Sequence, residues 1–276
     1  MPEPAEPQTE IVYRHGWATR IWHWLNAFCL FFLLASGLQI FNAHPALYLG
    51  TQSNFSNSLV SMTAMRTGDG SLRGITEIGS MDFDTTGFLG ASRDSSGALV
   101  ARGFPAWATI PSYRDLATGR IVHFFFAWVL VASGLAYVCV SLFNGHFRRD
   151  LIPRRGELRA MPRAIGDHLR FRFGREAHYN ILQKLSYLIV ILGLIPTMVA
   201  TGLAMSPGMD AALPWLLDLF GGRQSARTLH FMTMSLLVLF FVVHIVMVLA
   251  AGPINEMRAI ITGRYRVRPE AKGETS

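Results

Sequence analysis

The chain has 276 residues, 51% hydrophobic and only 16% charged, with a mean hydropathy of +0.31 and a formal net charge of +7. The apolar residues gather in long blocks instead of alternating with polar ones, which excludes an ordinary soluble domain and marks a membrane protein. The positive charge forms no basic groove interleaved with aromatics, so nucleic acid is excluded as a partner.

In chain order, the acidic leader "MPEPAEPQTE" is followed by a first apolar block, Ile21 to Phe41. An acidic leader and a block too long for a signal sequence predict a retained membrane span. Residues 42 to 118 hold nine Gly, many Ser and Thr, and scattered aromatics. Fragments such as "RGITEIGSMDFDTTGFLG" predict small hairpins there. The second block is Ile121 to Phe143, and after it "NGHFRRDLIPRRGELRAMPRAIGDHLRFRFGREAHY" carries nine Arg. The third block, Leu185 to Met205, contains Pro196, which predicts a kink. "DAALPWLLDLF" is too short to cross and predicts a brief interfacial helix. The fourth block, Leu229 to Ala251, precedes a basic tail.

At roughly 20 residues per crossing, these blocks predict an all-α integral membrane four-helix bundle, one domain over residues 1–276. Its spans are expected at about 20–41, 119–143, 181–206 and 227–251, with an outer insertion at about 45–111. Arg and Lys accumulate on cytoplasmic loops. The nine Arg of the middle loop, against five Arg and six acids in residues 42–118, place both termini and the middle loop inside a bacterial cytoplasmic membrane and the insertion outside. Lipid is therefore the first partner, with some attraction of the basic residues to anionic headgroups.

Three spans open on the same pattern: "RIWH" (Arg20 to His23), "RIVH" (Arg120 to His123) and "RTLH" (Arg227 to His230). Arg and His three apart share a helix face. One such copy is ordinarily a snorkelling Arg beside a wet His. Three copies, with His244 deeper in the fourth span, point instead to haem: imidazole nitrogen for iron, and guanidinium one turn outward for the propionates. His244 follows His230 by fourteen residues, roughly 21 Å along a helix and within roughly 40° of the same face, so the two histidines serve two sites. Orientation then pairs His23 with His244 at an inner haem and His123 with His230 at an outer one. Cys29 and Cys139 lie in apolar runs with no C-x-x-C-H, so the two b haems are held without thioethers.

"ASGL" recurs at Ala35 to Leu38 and Ala132 to Leu135, and "ATGL" at Ala200 to Leu203. Gly37 and Gly134 return to the face of their own helix's histidine at the other membrane depth. They serve either a macrocycle or close helix packing. His15, His146, His168 and His178 read as solvated or headgroup-facing, and His44 faces either a propionate or a partner. In "YNILQK", Asn180, Gln183 and Lys184 sit at the mouth of the third span, either as interfacial anchors or beside the inner haem.

The set "RIWHW", "RTLHF" and a second His fourteen residues later resembles the bacterial di-haem membrane cytochrome b superfamily: cytochrome b561 and the cytochrome b subunits of formate dehydrogenase, nickel-iron hydrogenase and thiosulfate reductase. The thiosulfate-reductase type is the nearest in pattern. The resemblance covers roughly residues 13–44 and 113–265. It implies a quinone site at Asn180 near His244, because "NILQK" is similar to the quinone-lining stretch of the formate dehydrogenase subunit. It also implies a periplasmic molybdopterin oxidoreductase as partner.

The expected function is electron transfer between the quinone pool and that partner, with the outer insertion as its docking cap. A second possibility is a stand-alone superoxide:quinone oxidoreductase reacting at the outer haem. A third is an anchor whose haems only stabilise the bundle. A docking surface on the insertion favours the first, and an open basic funnel the second.

Overall fold

A computed structural model describes residues 10–94, 96–145, 152–153, 156–170 and 181–267. In chain order, β1 (Glu10–Tyr13) precedes α1 (Trp17–Phe41). Six strands follow: β2 (Ala46–Leu47), β3 (Val60–Arg66), β4 (Leu72–Ile78), β5 (Met81–Asp84), β6 (Ala91–Arg93) and β7 (Leu99–Ala101). Next come α2 (Leu116–Phe143), α3 (Met161–Leu169), α4 (Ile181–Leu188), a π-helical stretch (Ile189–Leu194) and α5 (Ile195–Ala204). The chain continues through α6 (Pro207–Ala212), α7 (Pro214–Leu219), α8 (Arg223–Ala251), α9 (Pro253–Thr262) and β8 (Arg264–Val267).

Among the described residues, four helical runs are long and apolar enough to cross a membrane: α1, α2, the composite Ile181–Ala204, and α8, of 25, 28, 24 and 29 residues. At about 1.5 Å per residue each exceeds the roughly 30 Å of a bilayer's hydrocarbon core. Their outward faces carry exposed Phe28, Phe31, Ile121, Phe125, Trp128, Leu239 and Leu249, which lipid would cover. Pro196 has no amide hydrogen and its ring crowds the carbonyl four residues back. The third run adopts its π-helical stretch just before it, the wider turn that relieves such a conflict.

The chain divides into two compact units, and the boundary passes through all four long helices: after Trp24, Ala132, Leu194 and Leu236. In the first unit β1 pairs antiparallel with β8, Glu10 opposite Val267 and Tyr13 opposite Arg264. Arg14 ion-pairs with Glu256 at 3.6 Å and lies over the Tyr265 ring. Trp22 stacks on Tyr137 with centroids 4.1 Å apart.

The second unit contains the whole insertion, and here the structure adds what an all-α reading lacks. Residues 42–115 build a four-stranded antiparallel sheet, β2-β3-β4-β5, and a separate β6-β7 hairpin. Its turns share one chemistry. In "DGS", "DTT" and "DSS" the Asp carboxylate accepts the amide of the residue two further on: Asp69 from Ser71, Asp84 from Thr86, Asp94 from Ser96, at 2.9 to 3.1 Å. This is the Asx-turn that replaces a missing backbone partner. Gly74 is required because a Cβ there would stand 2.3 Å from the Leu89 carbonyl oxygen. An apolar core joins the insertion to the helices: Phe41 of α1 with Leu47 and Met62, and Phe104 and Phe231 of α8 packed against them.

The insertion is fastened to α1 and α8 by polar bonds made in the interior. Arg102, 4% exposed, donates to Gln39 Oε1 (2.8 Å), Thr109 Oγ1 (2.6 Å) and the Ser112 carbonyl (2.6 Å). Asn42 donates to the Phe104 carbonyl and accepts the Phe104 amide. At α8, Thr228 Oγ1 donates to the Tyr48 carbonyl at 2.6 Å, and the Gly50 carbonyl accepts the first-turn amides of Gln224 and Ser225, donors that a helix N-terminus cannot satisfy by itself.

Candidate functional site

In the second unit, α2 presents His123 and α8 presents His230, with ring centroids 6.4 Å apart and ring planes inclined by 60°. His123 Nδ1 lies 3.1 Å from the Leu33 carbonyl and 3.1 Å from Ser36 Oγ. A carbonyl only accepts, so Nδ1 carries the hydrogen and Nε2 keeps its lone pair. The Ser36 hydroxyl donates to the Phe32 carbonyl at 2.5 Å, which leaves its oxygen free to accept from the ring. His230 is held the same way. Its Nδ1 is 3.0 Å from Thr201 Oγ1, which donates to the Thr197 carbonyl at 2.7 Å.

Ser36 and Thr201 are the second residues of "ASGL" and "ATGL". The glycines that follow make room for the rings. A Cβ on Gly37 would come within 3.2 Å of His123 Cε1, and one on Gly202 within 3.4 Å of His230 Cε1. Gly37 and Gly202 therefore admit an imidazole from the facing helix. The third copy differs, since a Cβ on Gly134 would meet nothing within 4 Å. The residue before the glycine is Ser or Thr in all three copies, and that restriction is the signal in the sequence for a hydroxyl at this position.

In the first unit, α1 presents His23 and α8 presents His244, again with centroids 6.4 Å apart, the planes inclined by 52°. His23 Nδ1 is buried and has no hydrogen-bond partner among the described residues. His244 stacks against Phe240, with centroids 6.0 Å apart and planes inclined by 20°.

The two pairs fit a haem. Two imidazoles on opposite sides of one metal, each nitrogen at about 2 Å and the ring centre a little over an ångström beyond it, have centroids about 6 Å apart. Direct hydrogen bonding between the rings needs a much closer approach. Among the described residues no group of three or more His, Cys, Asp or Glu could hold a bare ion. Two imidazoles suit a metal whose other positions its own macrocycle fills.

The arginines of the repeated pattern have protein partners. Arg20 Nη1 donates to the Ile261 carbonyl at 2.8 Å, while its Nε is buried and unpartnered among the described residues. Arg120 is exposed and lies over the Phe124 ring. Arg227 donates to the His44 carbonyl and lies over Phe41. His44 stacks with Tyr48. Its burial, and then the neighbouring Arg227 charge, push the ring's pKa below the usual histidine range. Lys184 is engaged by both carboxylate oxygens of Glu157, at 2.8 and 2.9 Å. Asn180 lies outside the described residues, as do His146 and His178.

The family model for prokaryotic cytochrome b561 matches residues 14–263 of the chain. This protein belongs to the prokaryotic cytochrome b561 family. As a member of it, the protein is a bacterial membrane cytochrome of the electron-transfer type, and the family implies haem b. A protein of Azospira oryzae named as a protein-methionine-sulfoxide reductase subunit, YedZ1, is 35% identical over 128 residues, covering 46% of this cytochrome and 62% of the relative. The chain thus aligns with less than two thirds of that relative's length. No solved structure matches the chain significantly.

Proposed function

We propose that this cytochrome b561 binds two b haems, one between His23 and His244 and one between His123 and His230, and passes electrons between membrane quinone and an oxidoreductase partner. The observation that carries this reading is the recurrence of one spacing, 6.4 Å, between two histidine pairs in separate units. Bound there, b haem supplies one-electron exchange at iron. The chain's residues do the rest. His123 holds its Nδ1 hydrogen on the Leu33 carbonyl and so offers Nε2. Apolar helix faces exclude water. Arg20, Arg120 and Arg227 stand one turn from their histidines, where their remaining N–H donors suit propionate carboxylates.

Quinone is assigned to the cytoplasmic side beside His23 and His244, where the Asn180 amide would donate to a quinone carbonyl. That orientation, with both termini inside a bacterial inner membrane, rests on the Arg-rich middle loop. The insertion is assigned to the periplasmic side as the docking cap. In its favour, Phe55 and Trp107 are 78% and 76% exposed, and aromatics are the residue type enriched at interfaces. The relative's name, a reductase subunit, supports a separate catalytic subunit as partner. A molybdopterin oxidoreductase is the partner class the family resemblance favours.

The test is haem stoichiometry with paired substitutions. The purified protein should carry two b haems. His123→Ala or His230→Ala should abolish one spectral component, and His23→Ala or His244→Ala the other. Loss of the same component in His23→Ala and His123→Ala would break the pairing.

A further inference from the structure

We infer that Ser36 and Thr201 are positioning residues for the axial histidines of one haem, and that their hydroxyls lower its reduction potential. The inference rests on the haem reading above and extends it to groups that act through the histidines.

Both hydroxyls occupy the same position in a repeated tetrapeptide, on α1 and on α5, and each reaches the Nδ1 of a histidine on a different helix: Ser36 to His123 on α2, Thr201 to His230 on α8. Each spends its hydrogen on its own helix, on the carbonyl four residues back. The oxygen therefore meets the ring as an acceptor. Acceptance at Nδ1 has two consequences. It selects the tautomer with Nε2 free, and it pulls positive charge onto Nδ1–H, making Nε2 a stronger donor. A stronger axial donor favours ferric over ferrous iron, so the potential falls. Hydrogen bonding to these atoms is a lever that the protein controls.

The other pair supplies the contrast. His23 Nδ1 is buried yet hydrogen-bonds to nothing among the described residues. Among the described residues, then, His23 lacks this lever, while at His123 two acceptors converge on one nitrogen. Thr201 is fully buried, as is Ser36. An interior hydroxyl is retained at a cost unless it is bonded, and here both of its bonding roles are used.

The experiment uses the full-length cytochrome in mild detergent, comparing wild type with Ser36→Ala, Thr201→Val, the double variant, and Ser36→Thr. Haem content, the midpoint potential of each haem by optical titration, and the spectra of the oxidised low-spin haems are measured. Ala and Val keep the helices intact and remove only a hydroxyl or exchange it for a methyl. The Leu33 carbonyl still accepts from His123, so each single effect is modest. The double variant should keep two haems and raise one potential, shifting that haem's reduction equilibrium by about tenfold, or about 59 mV for one electron, with the other haem unmoved. Ser36→Thr should restore the wild-type value in the Ser36 position.

Unmoved potentials and spectra in a double variant that retains both haems would overturn the inference and leave the haem reading standing. A shift of both haems together would also overturn it, since the effect would then be general loosening. If His123→Ala leaves the haem content of the wild type unchanged, the haem reading itself fails. If the Ala and Val variants lose haem, the Ser36→Thr variant and a Ser36→Cys variant decide. A weak thiol acceptor should raise the potential and Thr should not, and equal potentials in the two would count against the inference.

Discussion

Gly37 of α1 and His123 of α2 pack so closely that a Cβ on residue 37 would stand 3.2 Å from the imidazole Cε1. Such a distance is tighter than an ordinary contact, and the ring cannot retreat freely while its Nδ1 is held by Leu33 and Ser36. Gly37→Val should therefore push the ring off its position at a cost of about 1–3 kcal/mol. If the His123–His230 pair holds a haem, its spectral component should be lost or altered, while the component that depends on His23 survives. Gly202→Ala should be milder than Gly37→Ala, because the corresponding distance is 3.4 Å. Unchanged spectra in Gly37→Val would show that the ring has room.

Arg102 is a buried cation that binds three neutral acceptors from different parts of the insertion and α1. Arg102→Leu leaves Gln39 Oε1, Thr109 Oγ1 and the Ser112 carbonyl to find other partners, which should destabilise the insertion by roughly 2–4 kcal/mol. Limited proteolysis checks it: cleavage within residues 42–115 should accelerate in the variant, with haem content retained. Wild-type resistance would mean that Gln39 and Asn42 hold the cap unaided.

The insertion should loosen in acid before the helices do. The Asp69 carboxyl is held down to about 2, first by the Thr67 hydroxyl and then by the Ser71 amide and hydroxyl. Asp84 is also held to about 2, chiefly by the Thr86 hydroxyl and amide and further by Arg73. Both values lie below the unfolded value of about 3.9. The stabilisation is thus complete above about pH 4 and is lost as pH falls towards 2. Cleavage of these turns by an acid protease should rise across that window. Asp69→Asn and Asp84→Asn should cleave readily at pH 4 and show a flatter dependence.

Phe88 and Trp107 lie with centroids 6.0 Å apart on the insertion, and both are exposed. Neither belongs to the buried core of Phe41, Leu47 and Met62. If the insertion docks an oxidoreductase, the double variant Phe88→Ser, Trp107→Ser should slow electron exchange with that partner at least tenfold, about 1.4 kcal/mol in partner affinity. Quinol reactivity and haem content should stay as in wild type. Undiminished exchange would move docking to another surface. Electron exchange with superoxide in the absence of any partner would favour the stand-alone oxidoreductase.

The four membrane-length helices were legible in the sequence because they depend on a local quantity, the run length of apolar side chains, which no tertiary contact has to supply. Helical periodicity, which likewise acts within one element, is what predicts a shared face for His230 and His244. The turns of the insertion were half legible: "DGS", "DTT" and "DSS" are local signals, but their assembly into β2-β3-β4-β5 depends on pairings such as Ser61 with Glu77 and on Gly74 meeting Leu89. What only the tertiary structure decided is which neighbour each repeated small residue meets. Ser36 and Gly37 meet a ring from α2, Thr201 and Gly202 one from α8, and Gly134 open space. The physical reason is range: a helix dictates the direction in which a side chain leaves its axis, whereas the atom it touches belongs to a segment 87 residues away for Ser36, and only packing brings the two together.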